Sequence, residues 1–189
     1  EILRCLVGSE MCIRDSLTSV MQFAMLPLQG VAQGAQPITS YNYGANNTER
    51  VKKTFRVLLM VSLIYSVTLW LAVMLMPQFF VSIFTPETAL IEFASKALRI
   101  YMAVMFLFGI QIACQMTFTA LGNAKSSIIV AVTRKFILLL PLIYIMPHMV
   151  SDKTMGVYLA EPVADFIAVT FTAILFYFQF RKAMNKIES

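Results

Sequence analysis

Residues 25–47 read MLPLQGVAQGAQPITSYNYGANN. No Asp, Glu, Lys or Arg occurs in this stretch, yet it is rich in polar groups. Gln29, Gln33, Gln36 and Ser40 follow one another at helical spacing, which puts them on one face of a helix. Gln22 extends that face toward the N-terminus. A single glutamine serves equally well as interhelical hydrogen-bond glue; four on one stripe favour a wet cavity. Gly30 and Gly34 form a GxxxG pair that permits close helix contact. Pro27 and Pro37 bend the segment, and Pro37 frees the carbonyl of Gln33. Gly44-Ala45-Asn46-Asn47 reads as a helix stop, with Thr48 as a cap and Glu49 in the first turn of the next helix.

The sequence around this stretch is apolar. Of 189 residues, 59% are hydrophobic and 13% charged, with a mean hydropathy of +0.75. Soluble domains carry about 45–50% apolar and about 25% charged residues. Residues 16–48, 57–86 and 100–124 contain no charged side chain. A hydrocarbon core about 30 Å thick needs about 20 apolar helical residues to cross it. The fold class is therefore an all-α integral membrane protein, and soluble globular, disordered, collagen and coiled-coil classes are excluded. Five spans are expected, over about 17–43, 53–80, 87–121, 126–146 and 156–180. Pro77 and Pro86 bracket the second connection, Gly122-Asn123 closes the third span, and Pro147 with Ser151-Asp152 marks the fourth connection.

Loop charge sets an orientation. Arg50, Lys52, Lys53 and Arg56 follow the first span, Lys125, Arg134 and Lys135 the third, and Arg181, Lys182 and Lys186 the fifth. Residues 77–87 have no Lys or Arg, and the fourth connection has only Lys153. The C-terminus is therefore expected in the cytoplasm. Lys96 and Arg99 dissent, since they fall on the outer part of the third span, from which they would snorkel outward. The net charge of +5 fits basic loops better than nucleic-acid binding.

Further polar groups lie inside the spans. Gln111, Gln115 and Thr119 repeat every four residues in the third span. Glu161 and Asp165, four apart, share a face of the fifth beside Pro162. A carboxylate at the centre of a span costs about 2.5–3.5 kcal/mol on insertion scales, so Asp165, the deeper one, has to be paired, protonated or facing water. Arg134 reads as an anchor at the cytoplasmic end of the fourth span or a lipid-phosphate contact, and His148 as an interfacial residue. Of the three cysteines, Cys5, Cys12 and Cys114, only Cys114 lies inside an apolar run, as a small packing residue. No Cys/His cluster points to a metal. No GxSxG, HExxH or P-loop occurs, so no catalytic residue and no cofactor is expected, and the chain does not read as an enzyme. Polar stripes with mid-span prolines point to a transporter or a pore.

The stretch at 25–47, followed by basic residues, resembles the eighth helix of the multidrug and toxic compound extrusion (MATE) transporters. ALRIYMAVMFLFGIQIACQMTFTALGNAKSS, VTRKFILLLPLIYIMP and GVYLAEPVADFIA continue the likeness in order, so that it covers residues 17–189. The resemblance implies five transmembrane helices corresponding to helices 8–12 of a twelve-helix, two-lobe transporter, with the N-terminal lobe and the seventh helix missing. It implies a multi-pass protein of the inner (cell) membrane that exports organic cations or drugs by antiport with Na⁺ or H⁺. Cavity-lining candidates are Gln29, Gln33, Gln36, Gln111 and Gln115; ion-coupling candidates are Asp165 and Glu161. The tenth helix of some members carries a cation-binding carboxylate, whereas residues 100–121 here have none. The expected partners are the drug, the coupling ion, the bilayer and the missing lobe of the same chain, without which the chain is not expected to transport. A flippase of the same superfamily and a non-transport membrane subunit are the alternatives; the flippase reading lacks the several cavity cations that a pyrophosphate substrate needs.

Residues 1–16 differ from all that follows. Glu1, Arg4, Glu10, Arg14 and Asp15 crowd into them, and CLVGSEMCIRDS resembles translated sequencing-adapter DNA. With a start at Glu1 the chain reads as a fragment, in which 1–16 are non-native and 17–189 form a C-terminal lobe. Resequencing the source locus should recover an apolar span directly before Leu17; CLVGSEMCIRDS in the intact frame would overturn this.

Overall fold

The computed structural model describes residues 2–82, 88–149 and 153–188, and every element among them is a helix. Pro86, the Ser151-Asp152 turn, and the side chains of His148 and of residues 2–17 lie outside what is described. In chain order the α-helices are α1 (Ile2–Gly44), α2 (Thr48–Leu75), α3 (Pro77–Ser82), α4 (Thr88–Tyr101), α5 (Phe108–Ala120), α6 (Ala124–Val132), α7 (Leu140–Met149) and α8 (Lys153–Glu188). A single 3₁₀ turn, Met105–Leu107, joins α4 to α5, and a π-helical segment, Thr133–Leu139, joins α6 to α7.

Four helical stretches are long and apolar enough to cross a membrane: Thr48–Leu75, Ser95–Ala120, Lys125–Ile145 and Leu159–Asn185. They match the expected second to fifth spans. α1, the expected first span, is not among them. Its glutamines, glycines and serines lower its hydropathy, but it packs lengthwise against α2 and α5 and so lies at their depth. It also begins at Ile2 rather than near residue 17.

Two connections at one end of the bundle use the same turn. Asn46 (φ 56°) and Gly122 (φ 72°) hold the left-handed conformation that ends a helix. The next residue, Asn47 or Asn123, donates its N–H back to the carbonyl of Asn42 or Phe118 (2.9 and 3.0 Å). Its side chain then accepts from the N–H of Arg50 (3.1 Å) or Ser126 (3.5 Å) at the start of the following helix. One asparagine thus closes one helix and caps the next. The cap of α2 is Asn47, not Thr48. At the opposite end Pro77 stops α2, because the residue before a proline is pushed out of helical geometry; Met76 sits at φ −127°, ψ 54°.

The expected third span, 87–121, is broken. Between Met102 and Leu107 the backbone closes i→i−3 bonds (Met105 N–H to Met102 and Leu107 N–H to Val104), which leaves carbonyls of the regular ladder to other donors. α2 supplies them. The Trp70 indole N–H donates to the Ala103 carbonyl (3.1 Å) and the Ser66 hydroxyl to that of Phe106 (3.0 Å). Trp70 also meets Phe106 edge-on. The close approach needs Gly109: a Cβ there would lie 2.6 Å from the Ser62 carbonyl oxygen.

Two cores follow. Ala24, Met25 and Leu28 of α1 pack with Val73, Val81 and the stretch from Ala97 to Phe108. Cys114 and Phe118 of α5 pack with Val130 and Phe176, where Phe55, Phe176 and Phe180 stack at 4.6–5.4 Å. Cys114 is the small packing residue the sequence implied. The GxxxG pair does not act as expected, since nothing lies within 4 Å of a Cβ built on Gly30 or Gly34. Gly109→Ala should therefore destabilise the bundle by about 1–3 kcal/mol and Gly34→Ala should not, as read by thermal unfolding in detergent micelles.

Candidate functional site

The buried face of α1 runs through Ala24, Leu28, Ala32, Thr39 and Asn42. The glutamine stripe lies roughly a quarter turn round the helix from it. Gln29 and Gln33 are exposed, and Gln36 is half-buried. α5 runs parallel to α1: the Ser40 hydroxyl donates to the Ala120 carbonyl (2.8 Å), and Ala32 clusters with Ala113. In that register Gln111 and Gln115 stand at the depth of α1 residues 31 to 35. Gln115 is half-buried. Gln111 is 3% exposed, and its side-chain carbonyl oxygen has no hydrogen-bond partner. Such an oxygen is costly in a low-dielectric interior unless something comes to meet it. The structure thus brings the two glutamine rows to one depth, one lining the outside of α1 and the other tucked beneath it.

Asp165 lies on the inward face of α8, among Ala164, Ala168 and Val169. Its Oδ1 accepts a hydrogen bond from Nε of Arg134 at 2.7 Å, and the two side chains are 5% and 24% exposed. The guanidinium carbon of Arg134 sits 4.8 Å from the ring centroid of Phe108, the first residue of α5 after its break. Charge-assisted bonding on one side and a cation–π contact on the other share one guanidinium. Three spans converge on it.

This corrects the reading of Arg134 as an end anchor. It lies midway along the Lys125–Ile145 span, inside the π-helical segment. Pro141, just beyond, has no N–H with which to close the preceding turn, and the ladder widens there. Asp165 is paired, one of the three states its depth allowed. Glu161, one turn earlier, is half-buried and also engaged within the chain, so Asp165 and Glu161 are brought together on one face but differ in depth. Phe108 carried no signal in the sequence. Arg134 did: a cation in the interior of an apolar run is too deep for an anchor and calls for an acidic partner in a neighbouring span.

A bundle of apolar spans with one broken helix, a π-helical segment and a buried intramembrane ion pair defines a polytopic helical membrane protein of the transporter type. The MatE family model matches residues 15–145, and the chain belongs to that family, the MATE transporters. Over 127 residues it is 28% identical to the multidrug export protein MepA of Staphylococcus aureus (strain N315), which is 67% of this chain and 28% of MepA. It is 23% identical over 153 residues to MepA of Staphylococcus haemolyticus (strain JCSC1435), which covers 79% of this chain and 33% of that protein. The chain thus spans about a third or less of these relatives. Among solved structures, an inward-facing multidrug resistance MATE transporter of the MOP superfamily aligns with TM-score 0.85 at 17% identity, over 94% of this chain and 41% of that one. A MATE protein in its bent conformation aligns with TM-score 0.86 at 16% identity, over 94% and 39%. At such identities the likeness is one of fold.

Removing one member of a buried pair strands the other. Arg134→Gln and Asp165→Asn should each lower stability by about 3 kcal/mol. The double variant should cost less than the sum of the two, by more than about 0.5 kcal/mol. Thermal unfolding of the four proteins in micelles checks both; additive losses would mean that the contact contributes nothing.

Proposed function

We propose that this chain supplies the C-terminal lobe of a multidrug exporter that couples efflux of organic cations to entry of Na⁺ or H⁺, with an N-terminal lobe completing the central cavity and the C-terminus in the cytoplasm. One observation carries the reading. Gln29 and Gln33 are exposed on α1 at the depth of its spanning neighbours, where polar side chains facing lipid are expensive. A water-filled cavity is the environment that makes such a face tolerable. Gln36, Gln111 and Gln115 extend the wall, and their amides can meet varied cations without a fixed charge. An isolated lobe leaves that wall without its opposite side, so the chain alone should not transport.

Asp165, with Glu161 a turn away, is the proposed coupling carboxylate. A proton or Na⁺ that neutralises Asp165 has to take the place of the Arg134 guanidinium. Ion binding then frees the π-helical segment from α8, and this links the ion to helix movement. The test is efflux of a fluorescent organic cation by the intact transporter in liposomes under an imposed ion gradient. Asp165→Asn should cut ion-driven efflux at least about tenfold, while Glu161→Gln, nearer the span end, should stay within about threefold. Wild-type gradient dependence in well-folded Asp165→Asn would remove this carboxylate from coupling.

A further inference from the structure

At the end of the bundle opposite the two asparagine turns, the last residues of α2, α3 and the middle of α4 surround an open cavity of about 600 Å³. That volume is in the range of small-ligand sites, and neither the glutamine rows nor the ion pair uses it. Ser95, on its wall, is 7% exposed, and its hydroxyl has no hydrogen-bond partner. One turn on, Arg99 also lines the cavity. It is exposed and has no ion-pair partner among the described residues. Lys96, which is already engaged in an interaction within the chain, lines the same wall. This is the end of the bundle where loop cations are scarce, and Arg99 stands there beside an unmet buried hydroxyl, a pair of donors that suits an anion.

The depth narrows the kind of anion. Leu75 is the last residue of one spanning stretch and Ser95 the first of the next. Both line the cavity, which therefore opens where the apolar slab gives way to the headgroup layer. Its rim carries exposed apolar side chains beside Gln78: Leu75, Met76 and Phe79 are 76%, 60% and 58% exposed. A free inorganic anion gains nothing from such a rim, whereas an acyl chain does.

We propose that this cavity is a binding site for an anionic phospholipid. The phosphate takes the forked N–H donors of Arg99 and the hydroxyl proton of Ser95, and the acyl chains lie along Leu75, Met76 and Phe79. Arginine suits the role because its planar donors match two phosphate oxygens at once.

Native mass spectrometry of the full chain titrated with phosphatidylglycerol tests the site. Wild type should hold one lipid about tenfold more tightly than Arg99→Gln does, and Ser95→Ala should fall between the two. Arg181→Gln, at the basic end, should hold it as wild type does, and phosphatidylcholine should compete poorly. Melting temperatures without added lipid confirm that the variants are folded. Equal retention by wild type, Arg99→Gln and Ser95→Ala would overturn the proposal, as would equal retention of phosphatidylcholine. Displacement of the lipid by millimolar inorganic phosphate would make the ligand a free anion and overturn the lipid assignment.

Discussion

Between helices surrounded by hydrocarbon there is little hydrophobic force, since lipid tails are as apolar as leucine. Association then rests on close packing and on polar groups that have nowhere else to go. The span made of α6, the π-helical segment and α7 shows the consequence most plainly. Ile128, Ile129, Val132, Phe136, Ile137, Leu140, Tyr144 and Ile145 all point outward. What holds this span to the bundle is packing along α8, the seat of Val130 against α5 and the bond from Arg134 to Asp165. Neither charge can be exposed to lipid at mid-depth at acceptable cost, so the pair fixes the rotation of both helices about their axes. The same guanidinium rests on Phe108, and the broken span is drawn into the arrangement.

The break beside Phe108 obeys the same constraint on the backbone. Carbonyls left without helical donors cannot turn to water in a bilayer. Ser66 and Trp70 of α2 reach them instead, and Gly109 lets the two backbones come close enough for that reach. A discontinuous span is tolerable because its neighbour was built to complete it. Such a span also bends at small cost, since the bonds that change are those to side chains rather than a full helical ladder.

The parts of this architecture that depend on local composition were legible in the sequence. Long apolar runs located four of the spans, though the apolar stretch of the expected third begins at Ser95 rather than at 87, and the Asn and Gly turns marked two of the joints. The face carrying Gln29, Gln33 and Gln36 followed from spacing alone, and the depth of Asp165 required one of three states, of which pairing is the one found. What could not be read was whatever depends on a neighbour. No proline or glycine signals the break at residues 102–107, because its cause is the set of donors waiting on α2. Arg134 carried a signal of depth, a cation inside an apolar run, but its partner Asp165 follows only from how the π-helical segment packs on α8. Gly30 and Gly34 illustrate the opposite case: the spacing fitted a contact motif, but among the described residues none lies within 4 Å of a Cβ built on either.

That last point joins the glutamine face and the ion pair into one picture. Small residues and glutamines alternate along the open side of α1, where they make a surface that is polar, uncharged and shallow in relief. Such a surface gives a large cation many weak acceptors and no fixed counter-charge, which favours breadth over specificity. The charged pair lies away from it, behind α5, and in the proposed function its opening and closing would alter how α6, α7 and α8 sit rather than what the cavity wall binds. Under the proposed function, separation of the two would let a coupling ion and a drug bind without competing for the same oxygen atoms. Any influence of one on the other then has to pass through the broken span, because Phe108 touches the guanidinium and Gln111, three residues on, hides an oxygen still lacking a partner.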